Sequence, residues 1–115
     1  MESARHIIVG KNAENMAAMF FSEKGYQIVS RNYRYRRGEI DLIVQKDNLL
    51  VFVEVKYRKS VRFGFPEEAV NSKKMELLQT TAEEFIFNRD WNGDIRFDII
   101  AIDGNNNIAH FQDVF

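Results

Sequence analysis

Three residues on one short stretch carry the strongest chemical signal in this sequence. Gly38–Arg58 reads GEIDLIVQKDNLLVFVEVKYR and contains Asp41, Glu54 and Lys56, with Glu39 two positions before Asp41. Two carboxylates held close together need a proton or a cation between them. Hard divalent ions such as Mg²⁺ prefer carboxylate and carbonyl oxygens. A lysine beside such a pair could orient or deprotonate an attacking water. The same residues would also make an ordinary salt-bridge cluster, Glu39 with Lys56 and Asp41 or Glu54 with a nearby arginine. Spacing alone does not separate the two.

A β-hairpin must position these groups. Glu39–Lys46 and Leu49–Arg58 read as strands joined by Asp47-Asn48, a pair that tolerates the positive φ of a tight hairpin loop. A loop that tight places Lys46 opposite Leu49, and continuing the register sets Asp41 opposite Glu54 and Glu39 opposite Lys56. Ile40, Leu42 and Val44 then share an apolar face with Val51, Val53 and Val55. The other face carries Ile43, Leu50 and Phe52 near the turn and the charged groups at the far end. Strands apolar on both faces belong inside a covered sheet.

The rest of the chain supplies the cover. Residues 1–9 read as a frayed or loosely docked start. A helix is predicted from Asn12, as N-cap, to Lys24, with Gly25 as its stop and Ala13, Met16, Ala17, Phe20 and Phe21 as its buried stripe. Glu14 lies at the edge of that stripe, either as a favourable partner of the helix dipole or aimed at the carboxylate pair. Tyr26–Tyr35 reads as a first strand, ending in Arg34-Tyr-Arg-Arg37. Lys59–Pro66 is predicted as a loop in which Phe63 and Phe65 flank Gly64, followed by one turn over Glu67–Val70. A second helix, capped by Asn71 or Ser72, runs to about Arg89 on a stripe of Met75, Leu78, Ala82, Phe85 and Ile86. Lys73 and Lys74 fall in its first turn, unfavourable for the dipole, which suits an anionic ligand. Asp94–Asp103 and Ile108–Phe111 are the last strands, around a Gly104–Asn107 turn. The role of Asp98 stays open, with ion pairing to the basic helix start as one expectation. The order is α-β-β-β-α-β-β, and the long helical crossover permits parallel pairing of the third and fourth strands.

At 115 residues the chain is expected to form one domain with a real core. It has no cysteine, which excludes disulfides and thiolate metal sites, and only two histidines, His6 and His110, which disfavours zinc. No run approaches the roughly 18 apolar residues of a membrane span, and no signal-peptide core opens the chain, so a cytoplasmic protein is expected. Net charge is only −1, but it is unevenly spread. Residues 31–62 hold nine bases and four acids, a net of +5, and three of those acids are Glu39, Asp41 and Glu54. Residues 63–115 hold four bases and ten acids. A basic zone around an acidic centre suits a phosphate-backbone ligand; a solvated polar face is the plainer alternative.

Asp41 followed across a hairpin by Glu54-Val55-Lys56 resembles the D…(D/E)-x-K signature of restriction-endonuclease-like nucleases. Several blocks resemble, more narrowly, the YraN-like bacterial family, to which an endonuclease activity is ascribed. They are Gly10–Glu14, Arg31–Arg34, Arg37–Ile43, Phe52–Arg58, Gly64 with Glu68–Val70, Lys74 and Arg96–Asp98. The resemblance implies a mixed β-sheet flanked by helices, of the restriction-endonuclease-like class. It also implies a metal-dependent DNA endonuclease related to Holliday-junction resolvases. Asp41, Glu54 and the Val55 carbonyl would hold Mg²⁺ or Mn²⁺, helped by Glu14, while Lys56 positions the attacking water and Glu39, on the same face, supports these ligands or holds a second metal. Arg34, Arg37, Arg58 and Lys74 are the expected contacts to the nucleic acid. Branched or single-stranded DNA is the implied partner, and a homodimer follows by analogy with resolvases. No phosphate-cradling glycine loop is present, so no nucleotide cofactor is expected. The competing class is a non-catalytic DNA-binding or scaffold protein that keeps the nuclease fold.

Overall fold

The computed structural model describes residues 2–59 and 71–115, with side chains from Asn12 onward. Its elements are α1 (Glu2–Glu23), β1 (Gln27–Tyr35), β2 (Gly38–Lys46), β3 (Leu49–Arg58), α2 (Ser72–Arg89), β4 (Asp94–Asp103) and β5 (Ile108–Phe111). The five strands form one sheet in chain order. β1–β2, β2–β3 and β4–β5 pair antiparallel. β3 and β4 pair parallel from Leu49↔Asp94 to Arg58↔Asp103, as the α2 crossover allows. The expected α-β-β-β-α-β-β order and mixed, helix-flanked sheet are therefore present. The Phe63–Phe65 loop and the Glu67–Val70 turn lie outside the described residues.

Each helix buries one face of the sheet. On one side Ala13, Ala17, Ala18 and Phe21 of α1 meet Leu42, Val44, Val51, Val53, Ile100 and Ile102. On the other, Leu78, Ala82 and Phe85 of α2 meet Ile40, Ile43, Leu50 and Phe52. Local chemistry sets the helix ends. The Asn71 side chain accepts from the Lys74 amide, capping α2. Gly25, at φ 91°, ends α1 with the Gly25 amide on the Ser22 carbonyl and the Tyr26 amide on the Phe21 carbonyl. The Tyr26 and Phe21 rings meet edge-on at 5.2 Å, completing a Schellman stop.

Two expectations need correction. α1 starts at Glu2, so residues 2–9 are helical and Asn12 lies inside the helix, not at its cap. Nothing between Glu2 and Asn12 blocks propagation, since Gly10 only weakens a helix. The hairpin register is also shorter than the pattern implied. Pairing of β2 with β3 runs from Lys46↔Leu49 to Leu42↔Val53. Beyond it, β2 continues with β1 to Tyr35↔Gly38, while β3 continues with β4 to Arg58↔Asp103. The sheet forks at Asp41. Strict alternation fails there: Ile40 packs on the α2 side with Ile43, not on the α1 side with Leu42 and Val44.

Candidate functional site

Asp41 fills the mouth of this fork. Its Oδ2 accepts a 2.8 Å hydrogen bond from the Val55 amide, so a side chain replaces the ladder bond that the diverging strands no longer make. Burial pushes its carboxyl up to about 6; the Val55 bond opposes the shift, and the neighbouring charges of Glu54, Glu14 and Glu39 reinforce it. The four sequence-predicted carboxylates thus act on one centre, though not by the facing pairs of a continuous hairpin. No Asp41–Glu54 or Glu39–Lys56 pair occurs in the described ladder.

Glu54 points toward α2. Its Oε1 meets Lys74 Nζ and lies 3.9 Å from Lys56 Nζ. Its Oε2 is buried and has no hydrogen-bond partner among the described residues. Burial works against the Lys74 charge, but contact with Glu54 outweighs it and raises that ammonium's pKa. Lys74, expected to reach out to a phosphate, is therefore drawn into the carboxylate centre by the first turn of α2.

Glu39 and Glu14 are tied together from the other side of the fork. Glu39 Oε2 pairs with Arg34 Nε at 3.3 Å, in place of the pair expected with Lys56. Asn32 sits between the two glutamates. With its amide nitrogen facing them, it donates to Glu14 Oε1 at 3.0 Å and to Glu39 Oε1 at 3.2 Å. Asn32 adopts φ 52°, a left-handed conformation that Asn tolerates. The sequence shows Asn32 only as an asparagine inside a strand of arginines and tyrosines, and that is the one signal of this bridge. Arg34 and Arg37 are exposed on β1 and its turn, and Arg58 ends β3 half-buried.

Asp98 belongs elsewhere. It is buried and accepts from Arg96 Nε and Nη2, both at 2.8 Å, from the Asp113 amide at 3.1 Å, and faces His110 Nε2 at 2.7 Å. Its partners are thus Arg96 and His110, not the basic start of α2. Burial disfavours its charge, but His110, Arg96 and the Asp113 amide outweigh that and hold its pKa below the ordinary range.

Among the described residues, no three carboxylates or imidazoles converge as a ready-made cation cage. The donor set of Asp41, Glu54 and the Val55 carbonyl still fits an ion such as Mg²⁺. That ion commonly takes one or two protein carboxylates and completes its shell with water and substrate phosphate. The orphaned Glu54 Oε2 is the specific sign of the fit.

Fold and site together define a small mixed α/β domain with an acid–lysine centre at a strand fork. The chain belongs to the uncharacterised protein family UPF0102, whose model matches residues 13–102. It is 47% identical over 109 residues to a UPF0102 protein of Cytophaga hutchinsonii, covering 95% of this chain and 96% of that one. It is 41% identical over 115 residues to one of Flavobacterium psychrophilum, with 97% of each chain covered. A third, from Natranaerobius thermophilus, is 49% identical over 113 residues, with 92% of this chain and 95% of that one covered. No helix of the described residues is long and apolar enough to cross a membrane.

Proposed function

We propose that this protein is a cytoplasmic, metal-dependent DNA endonuclease that hydrolyses phosphodiester bonds, with structure-specific or resolvase-like substrates. The observation that carries the reading is Glu54: one buried carboxylate oxygen without a partner among the described residues, the other against a lysine, beside Asp41 held by the Val55 amide. A fold alone has little use for such a group, because a buried unsatisfied oxygen costs stability.

Asp41, Glu54 and the Val55 carbonyl are the residues to hold Mg²⁺ or Mn²⁺. The ion, when bound, supplies charge neutralisation at the phosphate and a more acidic water. Lys56, 3.9 Å from Glu54, would position a water for in-line attack. The water's oxygen would bond to phosphorus and give up a proton to solvent, while the P–O bond to the leaving sugar oxygen breaks and that oxygen takes up a proton. Lys74 balances Glu54 and offers its ammonium to the phosphate. Asn32 keeps Glu14 and Glu39 aimed at the centre. Arg34, Arg37 and Arg58 are the outlying phosphate contacts. A four-way junction presents paired cleavage sites, which a two-fold dimer would match.

The absence of a preformed three-carboxylate cage among the described residues favours a second reading, a non-catalytic DNA-binding scaffold. A cleavage panel separates the two. Linear, flapped, single-stranded and four-way-junction DNA are incubated with Mg²⁺, Mn²⁺ or chelator, using wild type and Glu54→Ala. Metal-dependent cutting that the variant loses supports the nuclease. Salt-sensitive binding without cutting supports the scaffold, and neither binding nor cutting defeats both.

A further inference from the structure

An open cleft of about 360 Å³ lies between the β1–β2 turn and the exposed face of α2. The turn contributes Tyr35, Arg36 and Arg37, and α2 contributes Lys73, Glu76 and Leu77. The rim therefore carries three cations against one carboxylate, and Leu77 offers an exposed apolar floor. The cleft adjoins the acid–lysine centre on both walls. Gly38 precedes Glu39, and Lys73 precedes Lys74, which contacts Glu54. Gly38 and Asp41 are three strand residues apart, about 10 Å at roughly 3.3 Å per residue.

Arg36 is what marks the cleft as more than a solvated surface. Six non-glycine residues in the described structure have left-handed φ: Asn32, Arg36, Asp47, Asp90, Asn106 and Asp113. Five are Asn or Asp, whose short polar side chains suit that conformation. Arg36, at φ 55°, is the exception, in a two-residue loop where Asn or Gly would relax the backbone. Strain of this kind concentrates where a side chain is needed for binding. Its guanidinium lies 5.1 Å from the Tyr35 ring centroid, which fixes it at the cleft mouth.

We infer that this cleft seats one unpaired nucleotide of the DNA strand next to the bond to be cut. Its base rests on Leu77 and Tyr35, and its phosphate meets Arg36, Arg37 and Lys73. A duplex could touch the rim with its phosphates but could not place a base in the concavity, so the substrate class is DNA with an unpaired segment beside the scissile phosphate. The inference rests on the nuclease reading, and its test does not use cleavage.

Fluorescence anisotropy in chelator measures binding of a labelled single strand, a forked duplex and a fully paired duplex. The expectation for wild type is at least fivefold preference for the single strand and fork. Arg36→Gly should weaken single-strand binding five- to tenfold, reduce its salt slope by about 0.7, and leave the thermal midpoint unchanged or higher. Leu77→Glu should abolish the preference while duplex binding changes less. Unchanged single-strand affinity in both variants, or no preference in wild type, overturns the cleft alone. A wild type that binds none of the three DNAs overturns the nuclease reading with it.

Discussion

Asp41 is ionised at neutral pH in a place that resists its charge. Its carboxyl is raised to about 6 from an ordinary 3.8. Between those values the folded chain holds a proton that the unfolded chain releases. The contribution to stability is thus fully present below about pH 4 and is lost as pH rises through 6. At about 1.36 kcal/mol per unit, the loss is roughly 2–3 kcal/mol. Asp41→Asn keeps an oxygen for the Val55 amide but carries no charge. It should raise the urea-unfolding free energy by roughly 1–2 kcal/mol at pH 8, leave it unchanged near pH 4, and abolish cleavage. A variant less stable than wild type at pH 8 would contradict this account of the carboxylate. The nearness of Asp41, Glu54 and Lys56 was legible in the sequence because the two strands of one hairpin carry all three. The inward turn of Lys74 and the Asn32 bridge were not, because each depends on which elements pack side by side.

Element by element, much of the fold could be read from period and punctuation. β3, β4 and β5 match their expected spans, and α2 begins at its asparagine cap. The fork at Asp41 could not be read, since alternation presumes continuous partners and β2 keeps β1 along its length but loses β3 in mid-strand. Gly38 holds that fork in place. A Cβ at Gly38 would overlap the Thr81 hydroxyl and stand 2.9 Å from the Leu77 carbonyl, so β2 and α2 touch through the missing side chain. Gly38→Ala should cost about 2–3 kcal/mol in chemical denaturation. Adding Thr81→Ala should recover only part of the loss, because the Leu77 carbonyl remains. A neutral Gly38→Ala would mean that the contact gives way easily and does not set the position of β2.

Across the whole molecule, a second charged centre fastens the C-terminal end to the sheet. Asp98 gathers Arg96, His110 and the Asp113 amide, while the Val114 amide donates to the Phe97 carbonyl at 2.8 Å and the Phe115 ring packs 5.2 Å from that of Phe97. Its lowered pKa has the opposite sign to that of Asp41: its contribution is present above about pH 4 and is lost as pH falls further. Asp98→Asn leaves the half-buried Arg96 and His110 facing a neutral amide. It should destabilise the protein by about 3 kcal/mol at pH 7, read by chemical denaturation, and a change below about 1 kcal/mol would show that the tail is not fastened this way.

The two centres divide the sheet between a structural cluster and one with an unsatisfied oxygen, and only the second is proposed to bind a cation. Calorimetric titration of Mn²⁺ at pH 7.5 tests that most directly, comparing wild type with Asp41→Asn and Glu54→Gln. The account predicts one site in wild type and at least tenfold weaker binding in each variant. Equal binding by all three proteins, or no binding by wild type, would contradict it.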